Sequence, residues 1–168
     1  IDLTPRAVAH TAARIAHRQL QSALCVADAE RLPFPDASFD WVYSWGVIHH
    51  SPDTAKAVAE IHRVLKQGGV ARVMIYHKHS LVGLMLWLRY ALFALAPFTS
   101  LRTIYARHLE SPGTKAYSKR EARRLFEGFS GLDLVVELSH GDLLSEHAGQ
   151  RHQGRALSFA RRIWPRRW

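Results

Sequence analysis

The chain has 168 residues, 48% of them hydrophobic and 22% charged, proportions that suit a globular domain with a packed core and exclude a disordered, collagen-like or low-complexity protein. Its single cysteine, Cys25, excludes an intrachain disulfide and suits a reducing, cytoplasmic setting. The net charge of +9 is lopsided, with 9 basic and 7 acidic side chains in residues 1–84 against 14 and 7 in residues 85–168, so the second half has the balance to meet an anionic surface or acidic molecule.

Ile1-Asp2 reads as the end of a strand, and Thr4-Pro5 as the N-cap and first position of a helix running to about residue 20. Residues 24–27 form a short apolar run that stops at Asp28, and Phe39–Trp45 form a longer aromatic and β-branched run that stops at Gly46; both predict buried strands. Between them Leu32-Pro33-Phe34-Pro35-Asp36 cannot be helical, because each proline removes a donor and forces its predecessor into extended geometry. Asp40 stands as a strand-start residue without chemistry. Residues 52–66 predict an amphipathic helix with Ala55, Val58, Ala59, Ile61, His62 and Leu65 on its apolar side. Gly68-Gly69 is expected to stop that helix before a buried strand over residues 70–76.

His77 and His79 flank Lys78 without an acidic or cysteine partner nearby, so no metal site is expected. Residues 81–101, LVGLMLWLRYALFALAPFTSL, carry Arg89 as their only charge and are broken by Pro97. A pair of core helices, a lid over an apolar acceptor or membrane interface, and a membrane span are the three readings, the arginine and proline weighing against the last. Trp87, Tyr90 and Phe93, three residues apart, predict one aromatic ridge. Ser118 and Glu121 form a capping-box pattern for a helix ending near Gly128. After it, residues 132–138 read as an edge strand, residues 141–154 as a polar loop, and residues 155–168 as a basic helix ended by Pro165. Neither zinc-finger spacing nor an aromatic RNA-binding signature occurs, so no nucleic-acid partner is expected.

The string DAERLPFPDASFDWVYSWGVIHHSPD, followed by a helix and RVLKQGGVARVMIY, resembles the class I S-adenosylmethionine-dependent methyltransferases of the small-molecule, type 11-like kind. The resemblance runs from Ile1 to about Tyr76 and is weaker beyond, where residues 117–129 resemble a late helix of the same fold. It implies an α/β, Rossmann-like, doubly wound and mostly parallel sheet, here incomplete, with a helical insert after the family's fifth strand. The division expected is a partial core over residues 1–79, an apolar cap over 80–116, a late helix and edge strand over 117–140, and the polar loop and basic helix over 141–168.

In such open parallel sheets ligands sit outside the carboxyl ends of the strands. The resemblance puts Asp2 and Leu3 at the ribose, Asp28 and Ala29 at the adenine, and Ser44, Trp45 and Gly46 in the turn that the backbone of a ligand-binding strand makes. Taken alone, Asp2 reads better as a turn or capping group, and Asp28 as the start of a turn. His49 and His50 follow; either imidazole has the intrinsic pKa of a general base, or both shape the pocket while positioning and electrostatics lower the barrier.

No Gly-rich E/D-x-G-x-G loop occurs in the chain, although that loop holds the methionine end of the cofactor in the family. With Ile1-Asp2 reading as a strand end, the chain is expected to be a fragment that binds S-adenosylmethionine weakly by itself. The function expected of its parent is methyl transfer to a small, apolar acceptor such as a lipid, quinone or aromatic metabolite. The alternative is a catalytically inactive module that uses the apolar cap and basic tail at a membrane surface or partner.

Overall fold

The computed structural model describes residues 1–137; the expected polar loop and basic helix of residues 141–168 lie outside the described residues. The chain divides into two compact units, Ile1–Ile75 and Tyr76–Trp168.

In the first unit, Thr4 caps helix α1, Pro5–His17, by accepting from the Ala7 N–H at 3.2 Å, with proline at the first helical position. Strand β1 covers Phe39–Trp45, helix α2 Thr54–Val64 and strand β2 Leu65–Met74. β1 and β2 pair in parallel with α2 as the crossover, the unit from which a Rossmann-like sheet is built. A second parallel pairing is a single bridge between Asp2 and Val26, so the expected strand over residues 24–27 is reduced to one ladder position.

Asp53 caps α2 by accepting from the Lys56 N–H at 3.1 Å. The face that α2 buries is Thr54, Ala57, Val58, Ile61 and Val64, which corrects the expectation of Ala55, Ala59 and His62. The i, i+3, i+4, i+7 series starting at Thr54 is the one that a 3.6-residue repeat keeps on one side. The helix ends at Leu65, its extended C-cap, and not at the glycines, which lie inside β2. There the pairing jumps from Phe39 with Leu65 to Trp41 with Val70, a bulge that Gly68 serves at φ +78°. A Cβ on Gly69 would come within 2.9 Å of the Lys66 carbonyl oxygen and 3.0 Å of that of Asp40, so only glycine closes the bulge. β1 also departs from the fully buried strand expected: Trp41, Tyr43 and Trp45 are exposed and alternate with half-buried Val42 and Ser44.

In the second unit, helix α3 spans Leu81–Trp87, capped by Ser80, and passes into a π-helical turn over Leu88–Leu92. Helix α4 follows at Leu101–His108, capped by Ser100, then α5 at Lys119–Leu125. Residues 81–101 are thus two short helices and a turn, and no helix among the described residues is long and apolar enough to cross a membrane. Their core is Leu86, Ala91, Ile104 and Tyr105, with Trp87 and Tyr90 packed against it. The aromatic ridge is accordingly split, because Tyr90 stacks on His108 at 3.8 Å between ring centroids while Phe93 is exposed; the π turn rotates the later residues away from the face a regular helix would give.

α5 begins with the expected capping box, Ser118 accepting from the Glu121 N–H at 3.2 Å and the Glu121 carboxylate from the Ser118 N–H at 2.7 Å. Glu121 also pairs with Lys78 at 2.6 Å, and that ammonium, ahead of the cap bonds, holds its carboxyl down to about 2. Residues 132–136 carry no strand, and Glu137 is a bridge position.

Candidate functional site

The Asp2 to Val26 bridge is made by Asp2 donating to the Cys25 carbonyl at 3.2 Å and Ala27 donating to the Asp2 carbonyl at 2.9 Å. Asp2 is itself the bridged residue, and Asp28 follows two residues after its partner Val26. Both bonds to the Asp2 carboxylate fall on Oδ1, from the Thr4 N–H at 2.9 Å and the Thr4 hydroxyl at 3.1 Å. Asp2 therefore acts locally as a turn and cap acceptor, and these bonds from Thr4 hold its carboxyl below the usual range. Leu3, next to it, is exposed.

Asp28 Oδ1 accepts from the Glu30 N–H at 2.9 Å, turning the chain so that Arg31 donates back to the Asp28 carbonyl at 3.1 Å. Ala29 at the apex is half-buried, small enough to leave a flat surface beside the carboxylate. This is the Asx turn that the sequence allowed as the plain reading of Asp28, and it leaves Oδ2 without a hydrogen bond among the described residues.

Ser44, Trp45 and Gly46 close β1. Ser44 and Trp45 pair with Val73 and Met74, and Gly46 donates to the Met74 carbonyl at 3.2 Å. Gly46 then turns the chain at φ +72° with the Met74 methyl 3.3 Å from where a Cβ would stand; both the backbone angle and the space ask for glycine. Trp45 is exposed and stacks flat on Tyr43 at 5.8 Å. A turn of 3₁₀ helix, Ile48–His50, follows, with Ile48 and His49 buried and His50 half-buried. The two imidazoles lie 4.2 Å apart between centroids.

Glu30, which the sequence did not single out, links the two halves of this surface. Its Oε1 accepts from the Ser51 hydroxyl at 2.9 Å and from the Asp53 N–H at 2.7 Å. The turn after Asp28 is thereby fastened to the turn after β1, two residues beyond His49. Arg63 does the same for the next stretch, donating to the Leu32 and Phe34 carbonyls at 3.0 and 2.8 Å and to Asp36 at 2.6 Å. Glu60 holds that guanidinium through both carboxylate oxygens and also accepts from the Leu32 N–H at 2.7 Å; Arg63 is the main cause that takes its carboxyl down to about 2. At the opposite end of β1, Asp40 is paired to Lys66 at 2.9 Å.

Asp28 keeps one carboxylate oxygen without a hydrogen bond among the described residues, Ala29 beside it is small, Gly46 turns the chain at positive φ and the Trp45 indole is exposed. Residues 1–73 match the family described as methyltransferase domain. Over those residues the chain is similar to the class I S-adenosylmethionine-dependent methyltransferases. Among curated proteins, the 27-O-demethylrifamycin SV methyltransferase of Amycolatopsis mediterranei is 49% identical over 43 residues, 26% of this chain and 16% of that protein. The ubiquinone/menaquinone biosynthesis C-methyltransferase of Cupriavidus necator is 35% identical over 65 residues, 39% of this chain and 27% of that protein. The chain thus spans under a third of either relative's length. The solved structure of the YcgJ protein of Bacillus subtilis superposes with a TM-score of 0.55 at 23% identity, covering 81% of this chain and 56% of that one, a likeness that establishes the Rossmann-like fold. S-adenosylmethionine is the cofactor this family and fold imply. The Asp28 turn and the turn after β1 fit it in character: an acceptor with an open lone pair in the first, a glycine at positive φ in the second and no bulky side chain at the apex of either.

Proposed function

We propose that the chain serves S-adenosylmethionine-dependent methyl transfer to a small, largely apolar acceptor, with Asp28, Ala29, Ser44, Trp45 and Gly46 at the cofactor and Asp2 and Leu3 beside its ribose. The observation that carries this reading is the Glu30 bridge, which holds the Asp28 turn and the β1 turn at one end of the parallel unit. That is where ligands bind on such sheets. Bound S-adenosylmethionine supplies an electrophilic methyl carbon on a sulfonium, so the acceptor's electron pair takes the methyl and the sulfur keeps the bonding pair.

In this reading Asp28 Oδ2 accepts from the adenine amino group, Ala29 lies under the ring, and the backbone at Gly46 approaches the ligand without a side chain in the way. An oxygen or nitrogen acceptor that must lose a proton would give it to His50, whose partial exposure lets it reach a substrate; His49, enclosed, orients its neighbour. The apolar character of the acceptor rests on Trp45, Tyr43 and Val47, all exposed around the end of β1, a surface that favours flat or greasy molecules.

Calorimetry with S-adenosylhomocysteine on the intact protein that carries this chain tests the assignment. Asp28→Ala is expected to weaken binding about tenfold, the value of one lost hydrogen bond to a ligand amino group. Unchanged affinity would remove Asp28 from the site.

A further inference from the structure

Residues 80–109 contain no aspartate or glutamate but three arginines, Arg89, Arg102 and Arg107. Between Arg89 and Arg102 the chain makes a turn, residues 92–98, whose seven side chains, LFALAPF, include no polar group. Phe93 is 78% exposed, Leu95 92% and Phe98 100%. Single exposed apolar residues are ordinary on a protein surface, but a contiguous apolar projection flanked by cations is not.

Part of the backbone of this turn is paired locally. Phe93 donates to the Leu88 carbonyl at 2.9 Å, Leu95 to Leu92 at 3.1 Å, Ala96 to Ala91 at 2.8 Å and Thr99 to Ala96 at 3.0 Å, while Pro97 has no N–H to satisfy. Leu95 sits at φ +56°, where a glycine would rest without strain. The leucine there is exposed and does not fill the core. The base is rigid, for Ala91 and Ile104, on either side of the turn, belong to the buried cluster, and Arg89 lies 5.3 Å over the Tyr90 ring.

We propose that residues 92–98 dip into the surface of an anionic lipid bilayer. Phe93, Leu95 and Phe98 enter the boundary between headgroups and acyl chains, while Arg89 and Arg102, both exposed and within four residues of the turn, meet lipid phosphates. Lipid is favoured over a protein partner because the turn is exposed and wholly apolar and the first charged residue along the chain on either side is an arginine, which matches a surface that is greasy within and negative without. The inference stands on the second unit alone and does not depend on methyl transfer.

Flotation of the full chain with phosphatidylcholine vesicles, with and without phosphatidylglycerol, tests it. Binding to the anionic vesicles is expected, and the triple variant Phe93→Ser, Leu95→Ser, Phe98→Ser should weaken it at least about tenfold. These side chains lie outside the core, so the variant should keep its circular dichroism and melting temperature. Arg89→Gln with Arg102→Gln should weaken binding to anionic vesicles by about fivefold per arginine and leave neutral vesicles unaffected. Failure of the parent chain to float, or a triple variant that floats as well as the parent, would overturn the proposal, the latter pointing to the basic side chains elsewhere. So would a concentration-dependent dimer, abolished by the triple variant, in a chain that ignores vesicles; the turn would then belong to a second copy.

Discussion

Replacing Glu60 by glutamine removes one charge and leaves the shape. Glu60 takes Arg63 Nε at 2.7 Å and Nη2 at 2.8 Å, and the Leu32 N–H at 2.7 Å. Glutamine keeps one acceptor oxygen but turns an amide donor toward the guanidinium, so the bidentate pair is lost. The displacement of the Glu60 carboxyl from 4.5 to about 2 would be worth about 3 kcal/mol if the whole of it were stability. The Arg63 side chain is 31% exposed, and a pair so solvated returns less, so a loss of about 1–2 kcal/mol is expected at neutral pH. The pH dependence carries the sign. A carboxyl whose folded pKa lies below its unfolded one stabilises fully above the unfolded value and loses that contribution as pH falls through the folded one. Urea titrations of the parent chain and Glu60→Gln should therefore differ fully at neutral pH, progressively less below 4.5, and hardly at all near about 2. A difference that stays constant from neutral pH to about pH 3 would show that the glutamine acts by packing and refute the ion-pair account.

Other changes have equally definite outcomes. Gly83→Ala would put a Cβ 1.8 Å from the Tyr105 hydroxyl, so it should destabilise the second unit by about 3 kcal/mol, and adding Tyr105→Phe should recover part of the loss in chemical denaturation. Ser118→Ala removes half of the α5 capping box and should cost about 1 kcal/mol by the same measure. Glu30→Ala unfastens the Asp28 turn from Ser51 and Asp53 and should weaken S-adenosylhomocysteine binding to the intact protein about tenfold. Glu30→Gln, which keeps an oxygen for the same donors, should restore most of that affinity; equal losses in both would deny Glu30 a positioning role.

What the sequence determined by itself is whatever depends on neighbours in the chain. Thr4 and Ser118 each cap a helix through a backbone N–H three residues on, and the pattern of side-chain type and spacing is enough to see it. The run Phe39–Trp45 is β-branched and aromatic between a turn and a glycine, and it forms a strand over those residues. The family string was legible for the same reason, since it packs a strand, its turn and a crossover helix into adjacent positions.

Tertiary structure alone decided which of those residues meet. Glu30 reaches Ser51 across 21 residues and Arg63 reaches the Leu32 carbonyl across 31, and no local pattern marks either side chain as the one that will. The glycines at 68 and 69, read as a helix stop, proved to be a strand bulge, because the pairing with β1 skips there and part of the constraint on Gly69 comes from the Asp40 carbonyl on the neighbouring strand. The face of β1 that stays open and the turn that carries Phe93 and Phe98 outward were likewise invisible in composition. An apolar side chain is hydrophobic wherever it stands, and only the packing around it settles whether it fills a core or waits for a partner.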